Sequence, residues 1–357
     1  MDWIKTEEAV EEAVDHFLIG SPSARFSQVE AAYAKVPSLS KKQEPITFAF
    51  AAYPSAYRDD GNSSLPSEGR LKVYVQREKG DPTTPQITKT ILGPYFEEKG
   101  IPSHDYEVIS SGRFKCLALA PNFGVAENLK QLMTPPRPGI RIATDGGQSG
   151  AIACFAQTPA DKGNNNGQIF ALTARHIATD GETKRAGSWV YQPSNKVGGY
   201  QLGKTSSKKA NLTGWIDVPD AAAIQINTND VRFTDLHGAP RNFKLTRPTM
   251  LEAFENQEVG KLGPETGLTI GRITSPAAGL RVFLSEDSSV LIKRGFLAES
   301  AGYAFAKKGD SGSPVFLAEN GSFVGMVIAG MSRNGKTTVA SMLTIDVLNS
   351  LGLEFVE

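Results

Sequence analysis

A chain of 357 residues exceeds the usual single-domain length, so two or three compact units are expected. Hydrophobic residues at 40%, with 35 glycines, exclude general disorder. The 38 basic residues balance the 38 acidic ones, which excludes a strongly basic nucleic-acid or anionic-lipid binder, and two cysteines exclude a disulfide framework.

The amino terminus is acidic and lacks the basic start and apolar run of a secretory signal. Apolar runs such as Ile46–Tyr53 and Val324–Ala329 are far shorter than the ~20 residues a membrane helix needs, so a soluble, cytoplasmic protein without membrane contact is expected. From Glu7 to Leu18, Ala9, Val10, Ala13, Val14, Phe17 and Leu18 recur at helical spacing among carboxylates, which predicts an amphipathic helix; Ser27–Lys35 predicts a second. Asp59–Gly69 has the composition of a loop. Arg70–Gln76 alternates like a strand, Gln86–Lys99 has helical spacing and Tyr106–Ser110 reads extended, giving a strand-helix-strand unit. In Met133–Gly139 three prolines fix the backbone and delete amide donors. That stretch marks the boundary between a leader or regulatory domain, 1–134, and a second domain, 135–357.

Beyond Gly139 the helical periodicity nearly vanishes. Strand-length runs follow at Ala151–Gln157, Ile169–Thr173, Trp189–Gln192, Ala221–Ile226, Leu268–Ile273, Leu280–Leu284, Pro314–Leu317, Phe323–Ala329 and Thr337–Ser341, with turn residues between them. Many short strands with glycine-rich turns predict an all-β sandwich or barrel. Only Ile345–Leu351 returns to helical spacing.

The chemistry concentrates in Gly309-Asp-Ser311-Gly-Ser-Pro, a serine between glycines leading into an apolar strand. Glycines permit a tight turn that brings amide groups near any carbonyl the serine attacks, although the same residues also make an ordinary hairpin turn. A serine needs a base and an orienting group. Of four histidines, His16, His104 and His237 read as surface residues, whereas His176 closes the strand-like Ile169–Arg175 run. Asp217 and Asp220 are the candidate orienters, with Asp220 favoured because an apolar strand follows it directly.

Leu-Thr-Ala-Arg-His176, Asp220-Ala-Ala-Ala-Ile-Gln-Ile and Gly309-Asp-Ser-Gly-Ser-Pro resemble, in that order, the three catalytic blocks of the trypsin-like serine proteases. The resemblance covers Gly139 to the C-terminus. It implies a mainly β fold of two six-stranded antiparallel barrels (about 139–240 and 245–345) behind a small α/β domain. It further implies a serine endopeptidase acting on protein or peptide substrates, with Ser311 as nucleophile, His176 as base and Asp220 as orienter. By the same resemblance the amides of Gly309 and Ser311 form the oxyanion hole, and Phe305, Ala306, Ile328, Ala329 and Gly330 fall where the substrate pocket lies. None of these five is acidic, so small or medium apolar residues are expected before the cut. The absent cysteine pairs are similar to intracellular bacterial and plant members, and so is Val259–Gly271, a glycine-threonine hairpin read as structural. The leader is where a regulatory partner would dock. Arg175 departs from the small or amide residue usual before the base, and Ser313 from the commoner glycine.

Two other readings compete. Gly330-Met-Ser-Arg-Asn-Gly-Lys336-Thr337 matches a phosphate-binding loop, but too little chain follows to complete a nucleotide-binding sheet, and Asn334-Gly335 between apolar runs is a hairpin signal. A catalytically silent binding module on the same fold is the other. Histidines and cysteines lack metal-ligand spacing, so neither a metal nor another cofactor is expected.

Overall fold

The computed structural model describes residues 3–14, 47–57, 66–76, 92–111, 115–116, 128–145, 148–159, 167–178, 188–194, 199–205, 220–228, 230–234, 236, 257–283, 289–300, 304–333, 336–343, 348 and 351–356. The fold is mainly β, in two large sheets, as the sequence predicts. His16, Asp217, His237, the predicted helix Ser27–Lys35 and the Asn334-Gly335 turn lie outside the described residues, as does most of the tail Ile345–Leu351.

The first sheet of the region beyond Gly139 contains β5 (Arg141–Thr144), β6 (Ser149–Ala151), β7 (Cys154–Gln157), β8 (Ile169–Ala174), β9 (Trp189–Gln192), β10 (Tyr200–Thr205) and β11 (Ala221–Ile226). The C-terminal β18 (Glu354–Phe355) adds to its edge, in the order β18-β7-β8-β11-β10-β9-β5-β6. The predicted run Ala151–Gln157 is therefore two strands, broken at Ile152-Ala153. Ile152 donates to Ile140 O and Ala153 to Leu172 O, so the chain changes partners there.

The second sheet closes on itself. β12 (Glu258–Gly263), β13 (Gly267–Phe283), β14 (Ser289–Glu299), β15 (Pro314–Leu317), β16 (Phe323–Arg333) and β17 (Lys336–Leu343) pair in a ring: β12 with β13 and β15, β13 with β14, β14 with β17, β17 with β16, and β16 with β15. Closure removes the open edges within this ring. Val259, Ile273, Phe296, Phe305, Val315 and Val327 fill its interior.

Two predicted strands, Leu268–Ile273 and Leu280–Leu284, are one 17-residue strand, β13. Register shifts between Ile273 and Ser275, Ser275 and Ala278, and Ala278 and Leu280 bend it, so Pro276 and neighbouring small residues mark bulges instead of an end. The inner half pairs with β12, and the outer half, Ala277–Leu280, pairs with β1 (Thr47–Tyr57) of the leader.

The leader sheet continues through β2 (Pro66–Gln76), antiparallel to β1, and β3 (Tyr106–Ser111), parallel to β2. The helix at 92–98, α2, makes the crossover that a parallel pair requires. Residues 66–69, assigned to a loop by composition, belong to β2, because backbone pairing with β1 overrides the low strand propensity of Pro, Ser, Glu and Gly. Helix α1 (Trp3–Val14) covers this sheet with Ala9, Val10 and Ala13.

Strand alternation then buries both faces of β1 over Phe48 to Ala52. Phe48, Phe50 and Ala52 join Leu71, Val73, Leu92 and Phe96 in a leader core that also contains Leu291 of β14, while Ala49 and Ala51 belong to the main core. Each fully buried phenylalanine stabilises by about 1.5–3 kcal/mol. The proline-rich stretch is also tied down: Met133 N donates to Gln192 Oε1, Arg232 N to Pro136 O, and Gly139 N to Ile152 O.

Candidate active site

β8 runs straight into a single helical turn, α3 (Arg175–Ala178), which carries His176. β11 lies antiparallel to β8 with Ala221 opposite Ala174, so the residue before it, Asp220, arrives beside the turn. Arg175 N donates to Asp220 O at 3.1 Å and His176 N to Asp220 Oδ1 at 3.1 Å, fixing the carboxylate. The other oxygen, Oδ2, pairs with His176 Nδ1. Both side chains are buried, at 1% and 2% exposure. A carboxylate on Nδ1 favours the tautomer that leaves Nε2 able to accept a proton.

The Ser311 loop docks against the same strands. Ala151 N donates to Ser311 O at 2.8 Å, and Thr173 Oγ1 donates to Ala151 O at 2.7 Å. Gly312, at φ +83°, sits so close that a Cβ would fall 2.4 Å from Ala151 O and 2.5 Å from Thr173 Oγ1. The serine turn is thus seated on β6 and on the end of β8, two residues before His176. Two tight turns shape it: Asp310 N donates to Lys307 O and Ser313 N to Asp310 O, with Gly309 at φ +104° inside the first. Ser311 Oγ donates to Ile328 O at 3.1 Å, which places the hydroxyl at the backbone of β16.

A second set of contacts went unread in the sequence. Asp310 is wholly buried, and its carboxylate receives Glu265 N at 2.9 Å, Lys307 N at 2.9 Å, Thr266 Oγ1 at 2.7 Å and the Lys261 ammonium at 3.4 Å. Lys261 also pairs with Thr266 Oγ1 and bonds Gly267 O. Burial lowers the pKa of Lys261, opposed by the Asp310 charge. The hairpin read as structural therefore reaches the residue before Ser311. The available signal was a lysine at an inward position of Val259-Gly-Lys-Leu, where alternation calls for an apolar side chain.

The expected pocket residues divide. Phe305 and Ala306 pack in the interior cluster of the closed barrel, with Thr269 Oγ1 donating to Phe305 O. Ile328 and Ala329 belong to the main core, and Gly330 is buried beside them. The phosphate-loop match resolves into a β-hairpin, with Arg333 opposite Lys336. Lys336 opens β17, so no helix N-terminus follows that could cradle a phosphate. Among the described residues no group of histidine, cysteine, aspartate and glutamate could hold a metal ion, and no helix is long and apolar enough to cross a membrane. Cys154 is a free, buried thiol whose pKa burial pushes up.

No family model matches the chain, and no curated protein matches it. Solved structures similar to it include chymotrypsin-fold serine proteases. One is a glutamic-acid-specific serine protease with a histidine triad in substrate binding (TM-score 0.44, 16% identity, 62% of this chain and 100% of that one). Another is Thermobifida fusca protease A (0.43, 17%, 61% and 97%), and a third is a Cellulomonas bogoriensis chymotrypsin (0.42, 16%, 61% and 97%).

Proposed function

We propose that this chain is a serine endopeptidase in which Ser311 is the nucleophile, His176 the general base and then acid, and Asp220 the group that orients the imidazole. The observation that carries this is the buried His176–Asp220 pair, fixed through two atoms of the aspartate and seated against the loop that presents Ser311. Ser311 Oγ attacks the substrate carbonyl while its proton passes to His176 Nε2. The imidazolium returns that proton to the leaving amine, and water then releases the acyl group by the same steps in reverse roles. The amides of Gly309 and Ser311 belong to the two turns around the nucleophile and are assigned to the oxyanion, each worth about 2.7–4 kcal/mol in the transition state. Phe305, Ala306, Ile328, Ala329 and Gly330 supply no carboxylate, so cleavage after small or medium apolar residues is expected over cleavage after Lys or Arg.

One observation favours the second reading, a silent binding module: Ser311 Oγ donates to Ile328 O and is fully buried. Catalytic hydrogen bonds are often formed only once substrate is bound. A fluorophosphonate probe separates the readings. Labelling at Ser311, lost in Ser311→Ala, supports the protease, together with a peptide-library profile favouring apolar residues; no labelling of the folded chain, in wild type or in any variant that opens the site, supports the silent module.

A further inference from the structure

A serine that acylates must receive the substrate carbonyl at Oγ, and Oγ lies 3.1 Å from the backbone oxygen of Ile328. An extended peptide approaching this atom therefore runs along β16 at Ile328, Ala329 and Gly330. Backbone pairing with a strand edge is the sequence-tolerant way to hold it there. One edge of β16 at these positions is filled by β17, with Ala340 opposite Ala329 and Val339 opposite Gly330. The other edge carries β15 only as far as Met326. Beyond that point it is taken by a two-residue strand from the leader, β4 (Lys115–Cys116), antiparallel to β16, with Cys116 opposite Ala329 and Lys115 opposite Gly330. β4 is held from its far side by Phe283 at the outer end of β13. Consistent with a covered site, Ser311 and His176 are 0% and 1% exposed.

We propose that Lys115–Cys116 is an intramolecular occupant of the peptide-docking edge, so that the leader holds the site closed against substrate until β4 leaves β16. The inference rests on the protease reading above and adds its regulation. A strand edge pairs with one partner at a time, so β4 and a substrate exclude each other. A tethered strand competes at an effective concentration in the millimolar range for a short flexible tether, and apparent substrate affinity falls by the fraction of chains that are open. The competition is of the kind that raises KM and leaves kcat unchanged.

Two measurements on the full chain test this. The first is peptide hydrolysis by wild type, Lys115→Pro and Cys116→Pro, each of which deletes one β4 amide donor. KM falling at least about tenfold in one of them at unchanged kcat is the expected result; KM unchanged in both overturns the proposal. The second needs no variant. Hydrogen exchange of the 115–116 amides is followed with and without a tripeptide boronic acid, which forms an adduct with a serine hydroxyl. Faster exchange at 115–116 in the adduct supports displacement of β4. Adduct formation with exchange unchanged or slowed overturns it while leaving the protease reading intact. An adduct only in a proline variant supports both proposals, and no adduct together with no fluorophosphonate labelling in any chain removes both.

Discussion

Lys261 Nζ lies 3.4 Å from Asp310 Oδ2, with neither side chain exposed, one position before Ser311. An internal lysine thus supplies the cation that neutralises this aspartate, and the turn carrying the hydroxyl is braced from inside the closed barrel. Removing one partner of a buried pair leaves an uncompensated charge and costs about 3–5 kcal/mol. Lys261→Met is expected to lose stability on that order in urea unfolding and to lower kcat as the Ser311 turn loosens. The double variant Lys261→Met/Asp310→Asn should recover much of the stability, because the two changes act on one interaction.

The same pair gives opposite pH responses in stability and activity. Burial lowers the pKa of Lys261 from 10.5. Between the lowered value and 10.5 the unfolded chain keeps a proton that the folded chain has released, so this group makes stability rise with pH across that window. Across the same window the ion pair to Asp310 is lost, and activity is expected to fall. The phenols of Tyr106 and Tyr200 oppose the stability gain above pH 10, since burial raises both, Tyr200 to about 12. The difference between wild type and Lys261→Met isolates the lysine: that difference should climb with pH, and a flat difference would sink the assignment.

Ser311→Ala and His176→Ala are each expected to reduce kcat by about 10⁴ or more, and Asp220→Asn by about 10⁴. Asp217→Asn serves as the control, with a mild effect. Single-turnover assays on one apolar peptide are sufficient. Ser311→Ala should unfold at a nearly unchanged denaturant concentration, because among the described residues the side-chain bond it removes is a single one, to Ile328 O.

Cleavage at Arg141-Ile142 is not expected to be needed for activity. Ile142 is fully buried in β5, paired with Gly150, and Arg141 donates to Ser149 Oγ at 3.2 Å. In the trypsin-like family that the sequence resembles, a terminus freed by cleavage pairs with the aspartate before the serine; here that residue, Asp310, already has Lys261 and three hydrogen-bond donors. Arg141→Gln should keep wild-type kcat in a chain shown by mass spectrometry to be uncut; activity that appears only after cleavage would contradict this.

A chain beginning at Pro138 is expected to lose soluble folding as well as regulation. It would strip β1 from Ala277–Leu280, exposing a strand edge, and uncover the face of the main core filled by Ala49, Ala51, Tyr74 and Ile109. Unfolding of the full chain should then be a single transition in which near-UV and far-UV signals coincide; a separate leader transition would count against it.

Short elements with strong local signals were legible in the sequence: Trp189–Gln192, Ala221–Ile226 and Pro314–Leu317 are observed at the predicted bounds. The hairpin read at Val259–Gly271 is β12 paired with the start of β13, whereas β10 and β14 were missed because Lys204 and the Lys293-Arg294 pair interrupt the apolar pattern that marks a strand. Local signals singled out His176, Ser311 and the pair Asp217 and Asp220, and the resemblance to the trypsin-like protease blocks supplied their roles. The Lys261 contact was not legible, because it joins residues 49 positions apart through the barrel interior. Nor could local patterns show that β13 pairs with both the barrel strands and the leader hairpin or that β4 pairs with β16 next to Ile328, as both depend on pairings across more than a hundred residues.

The pairing of β1 with β13 sets an order on synthesis. Ala49 waits for Leu280, so the leader hairpin emerges from the ribosome with one edge open and stays so while roughly 230 further residues are added. At translation rates of about 5–20 residues per second that interval lasts on the order of ten to fifty seconds. During it, Phe48 and Phe50 lie next to an unsatisfied backbone ladder, a combination that invites pairing between nascent chains on neighbouring ribosomes. Expression yield of this chain should accordingly depend on holdase chaperones acting on its first hundred residues, well before His176, Asp220 or Ser311 has been made.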